Sequence, residues 1–240
     1  EFISCRLFIF INFIMSPSER NSNCENFCFP LYNFLKKIYL SKKRNAINHD
    51  FIKQIFDEIK IAYKKEKRKE GKDANQSWNS WSGKALQRLI KFIVEDYVFS
   101  LKHQIGITDD TALRRKKLSP ELDKVRRNIE VFYDSYSIIP DADIIIYDKT
   151  NYKIIAVLSC KASLRERVAQ AAYWKLKFQY NDTTKEILYY LLSTDNDGDF
   201  LDIGENISRD RIIVEYGEID KVYIFRNVPE SDKVKNFSKI

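Results

Sequence analysis

Histidine is almost missing from this chain of 240 residues, with only His49 and His103 present. That scarcity works against a His-centred metal site and against a Ser-His-Asp triad, both of which need an imidazole at the reacting centre. No GxxxxGK or GxGxxG stretch occurs, so no phosphate-cradling glycine loop offers a nucleotide site. The four cysteines, Cys5, Cys24, Cys28 and Cys160, are too few and too scattered for a disulfide framework. They point to a reducing, cytoplasmic compartment. Cys24 and Cys28 have no histidine nearby, so free thiols are expected there and not a structural zinc. Six glycines and five prolines exclude long flexible linkers and a turn-dense sandwich. Leu7 to Met15 has signal-peptide character, yet it is shorter than the roughly 20 residues of a bilayer span and no small-residue cleavage site follows it.

What is present is core material and charge. Hydrophobic residues make up 44% and charged ones 31%, which excludes both a disordered chain and a membrane bundle. The length fits one mid-sized domain, or one domain with a small helical appendage. Forty-one Lys and Arg against 34 Asp and Glu leave a net charge of +7, a bias toward polyanionic partners. The chain opens on Glu1-Phe2, the dipeptide that the cloning hexamer GAATTC encodes, and no Met precedes Met15. Residues 1–14 are therefore expected to be a non-native or truncated leader, with Met15 as the working start.

Along the chain the apolar spacing is first helical. Leu31, Phe34, Leu35 and Ile38 recur at three-four intervals, as do Ile52, Ile55, Phe56, Ile59 and Tyr63. The charge run from Lys64 to Glu70 reads as a solvated helix end stopped by Gly71, with phosphate tracking as the other reading. Residues 15–76 form a helical N-terminal region on this reading, and residues 77–240 the core that carries the chemistry. Ser77-Trp78-Asn79-Ser80-Trp81 opens a broadly apolar helix, in which Trp78 and Trp81 are expected as buried anchors before base-stacking rings. Gly106 is expected to stop that helix and Thr108 to Lys117 to form a loop. Ser119-Pro120 then starts another helix.

From Val131 the character changes to α/β. Strands are expected at Ile144 to Tyr147, Lys153 to Lys161, Ile187 to Ser193, Arg211 to Val214 and Val222 to Phe225, with a helix from Leu164 to Phe178. The segment Lys153 to Lys161 is apolar on both alternate sets, as in a strand at the middle of a covered sheet.

Chemistry concentrates at the ends of the first two strands. Asp143 stands at the mouth of one and Lys161 at the far end of the next. Antiparallel pairing makes those two ends neighbours, so the pair can face one pocket. Opposite charges beside an apolar core are costly unless paired or engaged. A carboxylate that holds a divalent cation, with a lysine that orients or deprotonates water, is what phosphodiester hydrolysis requires. For these two residues alone, a structural pair that closes the hairpin is the plainer reading.

The neighbouring residues shift that balance. Pro140-Asp141-Ala142-Asp143, Ser159-Cys160-Lys161 and the stretch Ser159 to Gln170 (SCKASLRERVAQ) resemble the PD-(D/E)xK nuclease superfamily. Within it they resemble type II restriction endonucleases that cut CCGG-type and related sites, whose signature reads S-x-K-x-[ST]-[LI]-R-x-D-R. Ser77 to Ile90 is similar to the helix that opens the catalytic core in that group. The resemblance runs from Ser77 to Val228 and is specific from Ser159 to Arg167. It implies a mixed central sheet flanked by helices, a dimer, magnesium and double-stranded DNA as substrate, with a cognate methyltransferase protecting host DNA. It implies Asp143, with Asp141, as metal-binding catalytic residues, and Lys161 on the attacking water. Asp143 is favoured as the primary ligand by its place at the strand mouth, Asp141 by its place after Pro140.

By the same resemblance Arg165, Glu166 and Arg167 read bases from a helix N-terminus in the major groove, and Gln170 reaches an adenine or a phosphate. Arginine can bond guanine O6 and N7 together, and a carboxylate can accept from cytosine N4. Ser163-Leu164-Arg165-Glu166 also fits a capping box, a structural alternative for Glu166. Three departures stand out. Glu166 follows Arg165 directly, without the signature's spacer or its Asp. The replacement carboxylate expected about thirteen or fourteen residues beyond the lysine is absent, since Trp174 and Lys175 stand there. Gln87 occupies the place of a glutamate in the opening helix. Glu95, Asp96, Glu130 and Asp134 remain as candidates for the further metal ligand. The alternatives in function are a repair or recombination nuclease that reads DNA structure, and a non-catalytic DNA-binding protein with a decayed site.

Overall fold

The computed structural model describes residues 73–101 and 104–237, with residues 39–40, 57, 60–61, 63–65, 67–68 and 71. The leader at 1–14, Met15, Cys5, Cys24, Cys28, His49, His103 and the helical positions from Leu31 to Ile38 lie outside the described residues. Two compact units are distinguished, residues 1–89 and residues 90–240.

In the first unit, Gly71 takes a φ of +69° and its N–H bonds the Arg68 carbonyl, the left-handed stop that glycine permits after the charged run. Helix α1 (Ala74–Leu101), whose residues up to Leu89 belong to this unit, starts earlier than Ser77 because Asp73 caps it, its carboxylate accepting from the N–H groups of Asn75 and Gln76 at 2.9 and 3.1 Å. Trp78 and Trp81 are buried and cluster with Tyr63, whose ring stacks on Trp81. They are anchors, as their apolar surface demands.

The second unit is built on β1 (Ile105–Thr108), α2 (Asp110–Leu113), α3 (Pro120–Arg127), β2 (Val131–Tyr133), β3 (Tyr136–Ile138), β4 (Ile144–Asp148) and β5 (Ile154–Lys161). After these come α4 (Arg167–Gln179), β6 (Leu188–Ser193), α5 (Arg209–Tyr216), β7 (Lys221–Ile224) and β8 (Val234–Asn236). Six strands form one mixed sheet in the order β1-β4-β5-β6-β7-β8, and β2 pairs with β3 as a separate hairpin. β4 runs antiparallel to both of its neighbours, β1 and β5; β5, β6, β7 and β8 run parallel. The change from antiparallel to parallel comes at β5, because the β4–β5 reversal is a short turn and the β5–β6 connection carries α4. β5 lies between β4 and β6, as its two apolar faces require. Val157, Leu191 and Val222 of the sheet pack with Val168 and Phe178 of α4 and Val214 of α5 in one buried core.

Three expectations are corrected. Gly106 does not end a helix; it lies inside β1 opposite Tyr147. A Cβ there would stand 2.1 Å from Tyr147 Cζ, so only glycine lets that ring cross the strand and donate to Glu121 at 2.8 Å. Arg211 to Val214 is helical, not extended. Ser208 caps α5 by accepting from the Arg211 N–H, and the buried Arg211 side chain donates to the carbonyls of Phe200 and Pro229, both at 2.7 Å. Thr108 to Lys117 is not a plain loop: it holds the end of β1 and the short α2, whose cap Asp109 accepts from Ala112 N–H at 2.8 Å and pairs with Lys91. Ser119 caps α3 as expected, accepting from Leu122 N–H.

Candidate active site

The β4–β5 hairpin turns on Asp148, whose carboxylate accepts from the Thr150 N–H and hydroxyl. That turn sets a register in which Ile144 faces Leu158, so the residue before Ile144 lies beside the end of β5. The Lys161 ammonium accordingly sits 3.0 Å from Asp143 Oδ2. The same oxygen accepts from the Cys160 N–H at 2.8 Å and from the Ser159 hydroxyl at 3.4 Å. Asp143 and Lys161 keep 22% and 13% of their side-chain surface, so the pair is sheltered yet reachable by solvent. Cys160 points its thiol into the interior. Burial, reinforced by the Asp143 charge, pushes that thiol well above its ordinary range and leaves it inert.

Asp141 lies apart from Lys161 in its partners. Its Oδ2 accepts from Gln170 Nε2 at 2.7 Å, and its Oδ1 faces Arg114 at 3.4 Å. Arg114 also pairs with Asp110 at 3.3 Å. Asp110 is an acid that the sequence reading passed over, because it falls in the segment taken for a loop. Burial pushes its carboxyl above the usual range; Arg114 opposes that, and the nearby charges of Asp143 and Asp141 add to it. A capping Asp at 109 followed by a second acid was the available signal.

The turn after β5 carries the expected reading residues. Arg165 adopts a φ of +42°, a left-handed backbone that a non-glycine residue holds only under constraint. Glu166 takes the N-cap position of α4 and Arg167 the first helical position; all three side chains are exposed. The capping box is not formed. Glu166 makes no capping bond, and Ser163 lies outside the helix with its hydroxyl on Asp197, because the Ser163–Arg165 segment turns before α4 begins. Arg209 donates to the Arg165 carbonyl at 3.4 Å and braces the turn from α5.

At the places where a further acid was sought, four residues have packing or pairing partners or a turn role, and three lie on α1, exposed or half-buried. Lys175 is buried, its ammonium on Asp220 at 2.9 Å and on the Ile187 carbonyl at 2.7 Å. Trp174 packs half-buried against the core. Glu130 pairs with Arg126, and Asp134 forms the turn of the β2–β3 hairpin with a φ of +55°. Glu95 is exposed and Asp96 half-buried on α1, and Gln87 is half-buried on the same helix. Among the described residues, no three of His, Cys, Asp and Glu come together as a metal-holding group.

The solved structure of restriction endonuclease PspGI with its substrate DNA matches this fold with a TM-score of 0.55 at 13% identity, over 94% of this chain and 92% of that one. The architecture is thus that of a restriction endonuclease. A sequence model described as BsaWI restriction endonuclease type 2 matches residues 121–240. Two proteins that bear the names of type II restriction enzymes, HpyAORF263P of Helicobacter pylori and MjaVIP of Methanocaldococcus jannaschii, are each 36% identical to this chain. The matches cover 69% and 87% of this chain and 82% and 90% of those proteins. The chain belongs to the BsaWI family of type II restriction endonucleases. Among the described residues no helix is long and apolar enough to cross a membrane.

Proposed function

We propose that the protein hydrolyses double-stranded DNA at a short specific sequence with magnesium, using Asp143 and Lys161 as its catalytic pair. The observation that carries this reading is the 3.0 Å contact between Lys161 and Asp143 at the solvent-reachable end of the central hairpin. The donor chemistry fits the ion. Magnesium prefers hard oxygen ligands and is commonly held by one or two carboxylates, with water and substrate phosphate filling the other positions. Asp143 would hold it, and the ion when bound would polarise the scissile phosphate and lower the pKa of a coordinated water. Lys161 orients the attacking water and offsets the charge that builds on the phosphate, with Asp143 and the end of β5 keeping the ammonium in place.

Arg165, Glu166 and Arg167 are proposed to read bases from their exposed turn, with arginine forks on guanine and the carboxylate on cytosine. The net charge of +7 supplies attraction to the phosphate backbone. A palindromic target calls for a two-fold homodimer, and a cognate methyltransferase, not stably bound, protects the host's own DNA. The nuclease core is taken as residues 77–240, behind a helical region at 15–76, in a cytoplasmic protein.

Digestion of a sequenced phage genome with magnesium, followed by mapping of the ends, tests the proposal. A discrete ladder whose ends share one short sequence is expected. A smear, or preference for branched or nicked DNA over intact duplex, would overturn it.

A further inference from the structure

We infer that Asp141 and Gln170 are positioning residues, and that the hydrogen bond between them couples the DNA-reading helix to the carboxylate of Asp143. The inference rests on the nuclease reading above and assigns to Asp141 and Gln170 a joint task in place of separate metal and base contacts.

The segment that leads into β4 is tethered along its length. The Arg114 guanidinium donates to the carbonyls of Ile139 at 2.9 Å and Pro140 at 3.3 Å. Tyr189, buried in β6, donates its hydroxyl to the Asp141 carbonyl at 3.3 Å. The Asp110 N–H donates to the Ala142 carbonyl at 3.1 Å. These contacts fix the segment to α2 and to the sheet. Gln170 adds a tie of another kind. It lies on the first turn of α4, three residues after Arg167, and its amide reaches Asp141 Oδ2 at 2.7 Å. Asp143 follows two residues later. A shift of α4 toward DNA therefore pulls on the backbone that places the catalytic carboxylate.

Both oxygens of Asp141 are engaged by side chains, Oδ1 by Arg114 and Oδ2 by Gln170. Asp143, not Asp141, is the residue that meets Lys161. The Asp141 side chain is 48% exposed, so the Gln170 bond is weak while water competes for it. Duplex laid over the α4 N-terminus excludes that water and strengthens the bond, which ties correct seating to the geometry of cleavage. Misplacing a reacting group by about 1 Å can cost about a hundredfold in rate.

The test uses the full chain, a duplex carrying the mapped site, and four proteins: wild type, Gln170→Glu, Asp141→Asn and the double variant. Single-turnover cleavage with magnesium is measured beside metal-free binding by fluorescence anisotropy. Gln170→Glu sets two carboxylates against each other. It is expected to slow cleavage about tenfold or more while metal-free affinity changes by less than about threefold. Adding Asp141→Asn lets an amide donate to the new carboxylate and is expected to bring the rate back to within about threefold of wild type. A double variant that stays as slow as Gln170→Glu, or becomes slower, overturns the inference and leaves Asp141 as a ligand. A loss of metal-free affinity in Gln170→Glu that the second change does not restore overturns it in favour of direct contact with DNA. Wild-type cleavage by Gln170→Glu also overturns it. Wild-type protein that cuts no duplex overturns the nuclease reading itself, and the inference with it.

Discussion

Replacing Lys175 by methionine tests whether this position, where the resemblance called for a carboxylate, is structural here. The Lys175 side chain is 6% exposed, and its ammonium bridges Asp220 at 2.9 Å and the Ile187 carbonyl at 2.7 Å. Methionine fills the same slender space without the charge. It leaves Asp220 and one carbonyl without their cation. Breaking a buried pair by removing one partner costs about 3–5 kcal/mol. Asp220 retains 27% of its surface and still accepts from the Tyr189 N–H at 2.7 Å, so the loss falls at or below the lower end, about 2–3 kcal/mol. For a chain of this length that corresponds to roughly 5–10 °C in Tm. Urea unfolding should show a lower midpoint with an unchanged slope. Lys175→Glu should be worse, since a second carboxylate would face Asp220. A Lys175→Met midpoint within about 0.5 kcal/mol of wild type, or a gain in magnesium affinity in Lys175→Glu, would refute the assignment.

Gly106→Ala should destabilise by about 3 kcal/mol in chemical unfolding, because its Cβ would stand 2.1 Å from Tyr147 Cζ and displace the ring from Glu121. Arg165→Gly should be more stable than Arg165→Ala by about 1 kcal/mol, since glycine relaxes the φ of +42°, while both variants lose discrimination against altered sites in a cleavage assay. Burial raises the Asp110 carboxyl, so its charge costs stability above its folded pKa and that cost disappears as pH falls through the carboxylate range. Asp110→Asn should therefore melt slightly higher than wild type near neutral pH, by less than about 1 kcal/mol given the partial exposure, and the two should converge on acidification.

The hairpin at the centre of the site was legible because local and long-range signals agreed. Two apolar runs flank Asp148-Lys149-Thr150-Asn151, and antiparallel geometry alone then places Asp143 beside Lys161. The Arg165–Arg167 segment after β5 was legible as a position but not as a conformation. Its strained Arg165 and the Ser163–Asp197 bond depend on a loop far along the chain. Arg211 to Val214 misled because Ile-Ile-Val favours strands, and the Ser208 cap with the burial of Arg211 overrides that preference. Asp110 carried a faint local signal in the Asp109 cap beside it; the partner of Gln170 carried none, because Asp141 and Gln170 meet only once α4 has packed on the sheet.

On the proposed mechanism Lys161 acts beside Asp143 on the scissile phosphate. Single-turnover cleavage by Lys161→Ala, measured beside metal-free affinity for the same duplex, tests it most directly. A loss of about a hundredfold or more in rate is expected, with affinity largely kept. Cleavage by that variant at the wild-type rate would contradict it.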